Sequence, residues 1–380
     1  MKKVGIMSMQ RVYNYGSFLQ GYGLKSLIEE LGCDVEFVDY NVGKCLVQDE
    51  NQKNRVEKIL SNSRAASKFF EYIGFRAPLK EKIKFIIYKK NYAKNNFPTL
   101  GLKNEFNYNP QLDVLVIGSD EVFNCVQSNK NVGFSLELFG KNNNAKKVIS
   151  YAGSFGNTTM DKLKKYNVDK EIGELLSEFD AISVRDDNSG KIVEELTKSK
   201  PNYNLDPVLA YDYMNKCKDK IKDIDDKDYI ILYGYSGRFN SKECKKIKEY
   251  GKRYNKKIYC FGGVQEACDK FIDCSPFEVL SYFKKADGVI TDTFHGTIFS
   301  IITKRKFATV IRKSYGTGYG NEEKLTDLLK RTNLVSRIAT NIDDIDRLLN
   351  EDIDYTDTFN ILAEERENTK EYLKKNILGE

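Results

Sequence analysis

Tryptophan is absent from this chain of 380 residues, and histidine occurs once, as His295. The missing tryptophan goes with an abundance of Lys, Asn, Tyr and Ile and reads as genomic composition bias. The scarcity of histidine excludes more. Eight cysteines are scattered at Cys33, Cys45, Cys125, Cys217, Cys244, Cys260, Cys268 and Cys274, with no Cys-x-x-Cys pair. Without such a pair or a second imidazole, the usual zinc ligand sets cannot be assembled, and no metal is expected. Reduced, mostly buried thiols are expected rather than disulfides. No run approaches the ~20 apolar residues of a membrane span. The N-terminal stretch Met-Lys-Lys-Val-Gly-Ile-Met-Ser is too short in its apolar part for a secretory signal, so a cytoplasmic location is expected.

Three signatures of common enzyme classes are also missing. There is no Gly-x-x-x-x-Gly-Lys-Ser/Thr loop, no Gly-x-Gly-x-x-Gly after the first strand and no Gly-x-Ser-x-Gly elbow. An ordinary NTPase, dehydrogenase or hydrolase is disfavoured, and no Asp-x-Asp follows a strand as a metal–nucleotide-sugar signature. The net charge of +6, from 61 basic and 55 acidic residues, is too mild to argue for a nucleic-acid partner.

What is present is a strand–turn–helix rhythm. Val4–Ser8, then a helical stripe through Leu24, Leu27, Ile28 and Leu31, then Cys33–Tyr40 form a β-α-β opening. Strands are expected at 113–117, 147–151, 181–184 and 203–205, and each ends in small or polar residues. In open α/β sheets ligands bind outside those carboxyl ends. A second set follows, with strands at 229–234, 257–261, 288–291 and 307–311. The predicted class is α/β, with two Rossmann-like domains facing a cleft. The first covers 1–211 and carries a helical, basic insertion at 44–98, with apolar positions that include Ile59, Phe69, Phe70 and Ile73. That insertion presents either a solvated face or a cover for an anionic or lipid-linked substrate. Residues 212–227 read as a charged linker and 228–354 as the second domain. The segment 355–380 is expected to be a helix packing back on the first.

The candidate chemistry centres on His295, in the run Thr291-Asp-Thr-Phe-His-Gly-Thr297 between a strand and a helix. Histidine is the side chain with an unperturbed pKa nearest neutrality. The amides at that helix start favour an anion, with Gly296 allowing close backbone approach and Thr297 offering a hydroxyl. Asp292 is placed either to orient the imidazole or to cap the helix. Arg185, at another strand end, suits bidentate grip of a carboxylate or phosphate, or else a salt bridge to Asp186 or Asp187. Arg312, Lys313 and Lys324 flank a Gly/Tyr-rich loop, Ser314–Gly320, suited to a basic lid or to plain solvent exposure. Asn14, Tyr15 and Gly16, the pair Ser119 and Asp120, and Ser154 occupy polar turns at strand ends.

Taken in order, the blocks 14–20, 113–124, 149–156, 182–186, 205–207 and 286–300 resemble the polysaccharide pyruvyltransferase family. Glu121 and Phe123 depart from a frequent Gln and Trp, Thr293 from Ser, and Lys324 lies near a frequent Arg. The resemblance implies a fold similar to glycosyltransferase B enzymes. It implies transfer of pyruvate from phosphoenolpyruvate, as co-substrate with no further cofactor, onto a sugar as a ketal. The implied acceptor is a cell-surface glycan or its lipid-linked precursor, with contact at the inner membrane face; oligomeric state is open. On this reading His295 is the acid–base residue or a phosphate ligand, and Arg185 holds the donor. Gly296, Thr297 and one of Arg312, Lys313 or Lys324 complete the donor pocket. Asn14, Tyr15, Gly16, Ser119, Asp120, Ser154 and Asp292 line the cleft or the acceptor side. The rival readings are a nucleotide-sugar glycosyltransferase of the same architecture and a non-catalytic glycan-binding protein.

Overall fold

The computed structural model describes residues 1–47, 74–313 and 320–380. Ile59, Phe69, Phe70 and Ile73 of the insertion, and nearly all of the loop Ser314–Gly320, lie outside the described residues.

Two six-stranded sheets, parallel throughout, organise the chain. The first comprises β1 (Lys3–Met7), β2 (Asp34–Phe37), β3 (Val114–Asp120), β4 (Val148–Gly153), β5 (Ser183–Val184) and β6 (Asn202–Tyr203), in the order β2-β1-β3-β4-β5-β6. The second comprises β7 (Tyr229–Tyr233), β8 (Lys257–Phe261), β9 (Lys270–Phe271), β10 (Gly288–Thr291), β11 (Phe307–Val310) and β12 (Ile338–Ala339), in the order β12-β11-β10-β7-β8-β9. Runs such as Val114–Ile117 and Tyr229–Tyr233 are buried along their whole length. That continuous apolar character is what a strand covered by helices on both faces requires. The predicted architecture of two Rossmann-like units is therefore present. Two-residue β9 and β12 are too short to leave a sequence pattern. β6 lies just ahead of the expected 203–205, because Asp206 already starts a short helix, Pro207–Ala210.

Each sheet reverses its direction of growth once, between β1 and β3 in the first and between β7 and β10 in the second. These switch points leave a crevice at the strand carboxyl ends. The two crevices meet.

The units are fastened by aromatic side chains. Phe277 of the second packs edge-on to Tyr22 and Phe18 on helix Tyr15–Glu29, with ring centroids 4.9 and 5.9 Å apart. The segment 212–227 takes part in this packing, for Tyr213, Cys217 and Ile221 are all buried. The described end of the insertion is the 22-residue helix Leu79–Leu100. Phe85, Tyr88 and Tyr92 form its buried stripe. Phe85 and Tyr88 meet Phe271 of the second unit at 5.4 and 5.5 Å, and Glu81 accepts the Phe271 N–H at 2.6 Å. This helix is a strut touching both units. The last helix, Thr356–Leu373, lies on the first unit, where the Tyr372 hydroxyl donates to Ser150 O and Arg366 Nε to Leu209 O. A single apolar cluster consequently runs from one unit into the other.

Truncating Phe277 to alanine should cost about 3–5 kcal/mol, the range for a buried phenylalanine, in urea unfolding. A cost below about 1 kcal/mol would mean that this ring does not join the units.

Candidate active site

The meeting crevices form a cleft of about 910 Å³, including its solvent-open mouth. Asn14, Asp120 and Arg185 line it from the first unit, and Tyr233, His295 and Lys324 from the second. Each arrives from a strand end or a helix start. Arg185 directly follows β5, and Asp120 ends β3. His295 opens helix Phe294–Ile302, whose N-cap is the hydroxyl of Thr293.

Arg185 is buried. Its Nη1 donates to Asp206 Oδ2 at 2.7 Å and its Nη2 to Asp120 Oδ1 at 3.2 Å. The guanidinium carbon sits 4.3 Å from the centroid of the Phe294 ring, in cation–π geometry. Burial opposes the charge, but Asp120 and Asp206 outweigh it, so the guanidinium's pKa rises further above its ordinary value. Asp120 adopts φ +73, uncommon for a non-glycine residue. Its carboxylate lies between Arg185 and the Ser17 hydroxyl, which donates to it at 3.0 Å. Asn14 caps helix Tyr15–Glu29, accepting the Ser17 N–H at 2.6 Å.

Asp206 joins the two units' chemistry. Its Oδ1 accepts the Val208 N–H at 3.0 Å and caps the short helix begun by Pro207. Oδ2 is left for Arg185 and lies 3.7 Å from His295 Nε2. That separation suits an ion pair but exceeds a hydrogen bond. His295 Nε2 is buried and has no hydrogen-bond partner. Burial pushes the Asp206 carboxyl up, but His295 and Arg185 outweigh it and hold it at about 2. Gly16 backs the imidazole so closely that a Cβ there would fall 2.2 Å from Nδ1. A side chain at position 16 would expel the ring from its place.

Lys324 Nζ donates to Glu121 Oε1 at 2.7 Å, an ion pair across the cleft. Burial raises the Glu121 carboxyl, and Lys324 and Arg185 bring it down to about 2. Glu121 and Lys324 are two of the positions noted above as departures from the family pattern, and here they are partners.

The structure sets other expected residues apart from this cleft. Arg312 is bound to Asp292 at 2.7 Å and to Glu243 at 3.0 Å, and Lys313 is exposed. Asp292 neither orients the imidazole nor caps the helix. It is fully buried with Arg312 and Arg238, and burial raises its carboxyl despite both. The Gly296 N–H is taken by the Thr293 hydroxyl at 3.0 Å, and Thr297 donates to Thr293 O, so these groups do not face an anion. A Cβ at Gly296 would strike the Thr291 hydroxyl at 2.3 Å, so this glycine serves packing. Tyr15 is buried against Cys274. The Ser119 hydroxyl donates to Ala152 O and that of Ser154 to Asp186 Oδ2. Arg185 pairs with neither Asp186 nor Asp187, since Asp186 caps helix Asp187–Thr197. Sequence reasoning missed the roles of Asp206, Glu121, Ser17 and Tyr233. An acid placed before a helix-starting proline reads as a cap, and nothing local reveals that its second oxygen reaches Arg185.

The family described as polysaccharide pyruvyl transferase matches residues 14–314. No curated protein matches the chain. Among solved structures the chain is similar to a UDP-GlcNAc 2-epimerase from Methanocaldococcus jannaschii, at 12% identity and a TM-score of 0.47, over 96% of this chain and 99% of that one. It is also similar to a UDP-N-acetylglucosamine 2-epimerase from Rickettsia bellii, at 11% identity and 0.47, over 100% of both chains. Neither likeness bears on chemistry. The family match does, and it spans most of the chain: the chain belongs to the polysaccharide pyruvyl transferase family, enzymes that transfer pyruvate onto polysaccharide.

Proposed function

We propose that the protein transfers pyruvate from phosphoenolpyruvate to a sugar of a cell-surface polysaccharide or its lipid-linked precursor, forming a ketal and releasing phosphate. The observation that carries this reading is the sharing of Asp206 between Arg185 and His295, with His295 Nε2 buried and unpartnered beside it. A buried imidazole atom lacking a partner at a cleft is an orphaned polar group that calls for a functional role.

In this reaction the donor's methylene carbon gains a proton and its central carbon becomes cation-like. One sugar hydroxyl adds there, losing its proton. The bond to the phosphate oxygen then breaks, a second hydroxyl closes the ketal, and its proton leaves on the released phosphate. His295 is the acid–base group for these transfers. Asp206, 3.7 Å from His295 Nε2 and bonded to Arg185, acts as a positioning residue between the two. Arg185 and the carboxylates around it supply a fixed electrostatic frame for the developing charge. The donor's own anions need a cation, and among the described residues Lys324 is the lysine that lines the cleft, where it is paired with Glu121. On this reading a donor oxygen takes the place of Glu121 on Lys324. Asn14 and Gln127, which line the first unit's side, offer amides to sugar hydroxyls. The donor is a co-substrate, so this chemistry calls for no resident cofactor, and use of phosphoenolpyruvate puts it in the cytoplasm.

Replacing His295 with alanine should lower the rate of pyruvylated product formation by about 10²–10⁴, and Arg185→Ala should act in the same direction. If both variants keep near wild-type transfer, this assignment is wrong. Glu121→Gln should lower the KM for phosphoenolpyruvate and Lys324→Ala should raise it, each by about tenfold; no change in either would place the donor elsewhere. Asp206 should also show in stability. Its folded pKa is depressed, so its contribution is complete above about pH 4 and fades as pH falls towards 2. Asp206→Asn should cost about 3 kcal/mol at pH 7, because it strips Arg185 of a buried partner. In denaturant titrations the gap to wild type should narrow below pH 4; a gap that stays constant to pH 2 would contradict the ion pair.

A further inference from the structure

The strut helix Leu79–Leu100 has a second face that is exposed among the described residues. Its inward stripe, Phe85, Tyr88 and Tyr92, is buried. On the opposite side Leu79, Ile83 and Ile87 recur every four residues, one above the next, and are 69, 50 and 49% exposed. Lys90 and Lys94 continue the same face towards the C-terminal end, and Lys80 flanks it; all three are exposed. The helix contains one acid, Glu81, and that residue is turned inward to the Phe271 N–H and Lys84. The outer face thus combines three protruding aliphatic side chains with three lysines and no carboxylate.

We propose that this face docks on an anionic lipid surface. The aliphatic side chains would enter the headgroup region, and the lysines would meet the lipid phosphates. Charge complementarity selects this occupant. A lysine near an anionic bilayer adds roughly fivefold in affinity, and buried aliphatic surface adds to it. Such a surface is recognised by its charge and its soft apolar interior, which is the chemistry this face offers. The same helix supports the cleft: Tyr92 OH donates to Asn14 O at 2.6 Å, and Lys89 Nζ to Tyr13 O. Docking would hold the Asn14 side of the cleft near the lipid headgroups. Among the described residues no helix is long and apolar enough to cross a membrane, so the contact is one of lying on the surface.

The test is co-sedimentation of the full chain with vesicles, in the absence of donor and sugar. One set is phosphatidylcholine alone, the other phosphatidylcholine mixed with phosphatidylglycerol. Binding is expected only to the mixed vesicles and should weaken with salt. The triple variant Lys80→Ala, Lys90→Ala, Lys94→Ala should bind roughly a hundredfold more weakly. The pair Ile83→Asn and Ile87→Asn should also lose binding, at unchanged charge. Both variants should melt with the wild type and keep transfer onto a water-soluble acceptor, so a failure here is distinguishable from a failure of the pyruvyl-transfer reading. Equal binding to both vesicle types, binding to neither, or indifference to both variants would overturn the proposal. So would a concentration-dependent dimer that the isoleucine substitutions abolish, since the face would then belong to a second copy.

Discussion

One carboxylate, Asp206, ties the two halves of this protein together chemically. Its oxygen Oδ2 takes a hydrogen bond from Arg185 of the first unit and lies at ion-pair distance from His295 of the second. Both contacts exist because the two sheets present the carboxyl ends of their strands to each other. Arg185 and Asp206 follow β5 and β6, and His295 follows β10. A buried carboxylate is tolerable only with such partners, and a buried guanidinium likewise. Removing Asp206 strips Arg185 of one of its two carboxylate partners, and removing Arg185 leaves Asp206 and Asp120 without their guanidinium.

The second constraint is mechanical. Aromatic contacts at Phe277 and Phe271, the strut helix and the returning C-terminal helix fasten the units through one apolar cluster. The cleft walls are accordingly held in register, as a reaction needing groups from both sides requires. The Lys324–Glu121 pair is different in kind. It crosses the open cleft and is partly exposed, which is where the proposed donor would meet a cation.

Much of this was legible in the sequence because the physics is local. Parallel strands buried on both faces show as apolar runs such as Val114–Ile117, and helix caps show as Ser, Thr, Asn or Asp at strand ends. The sole imidazole and the arginine after β5 stood out for the same reason. The illegible part is long-range pairing. Nothing near Arg312 reveals that Asp292 and Glu243 hold it away from the cleft. Nothing near Gly16 reveals the ring of His295 packed against it. Gly296 and Thr297 suggest an anion site by type, yet the Thr293 side chain and carbonyl already occupy their donors. Asp206 and Glu121 gain their meaning only from partners 21 to 203 residues away.

The central claim is that the Arg185–Asp206–His295 cleft is where phosphoenolpyruvate reacts. A crystal structure of the protein with phosphoenolpyruvate bound tests it most directly. The account predicts the donor inside the cleft, within hydrogen-bond reach of Lys324, with Glu121 displaced and the methylene carbon facing His295. Donor density outside the cleft, or a cleft that takes a nucleotide and refuses phosphoenolpyruvate, would contradict it.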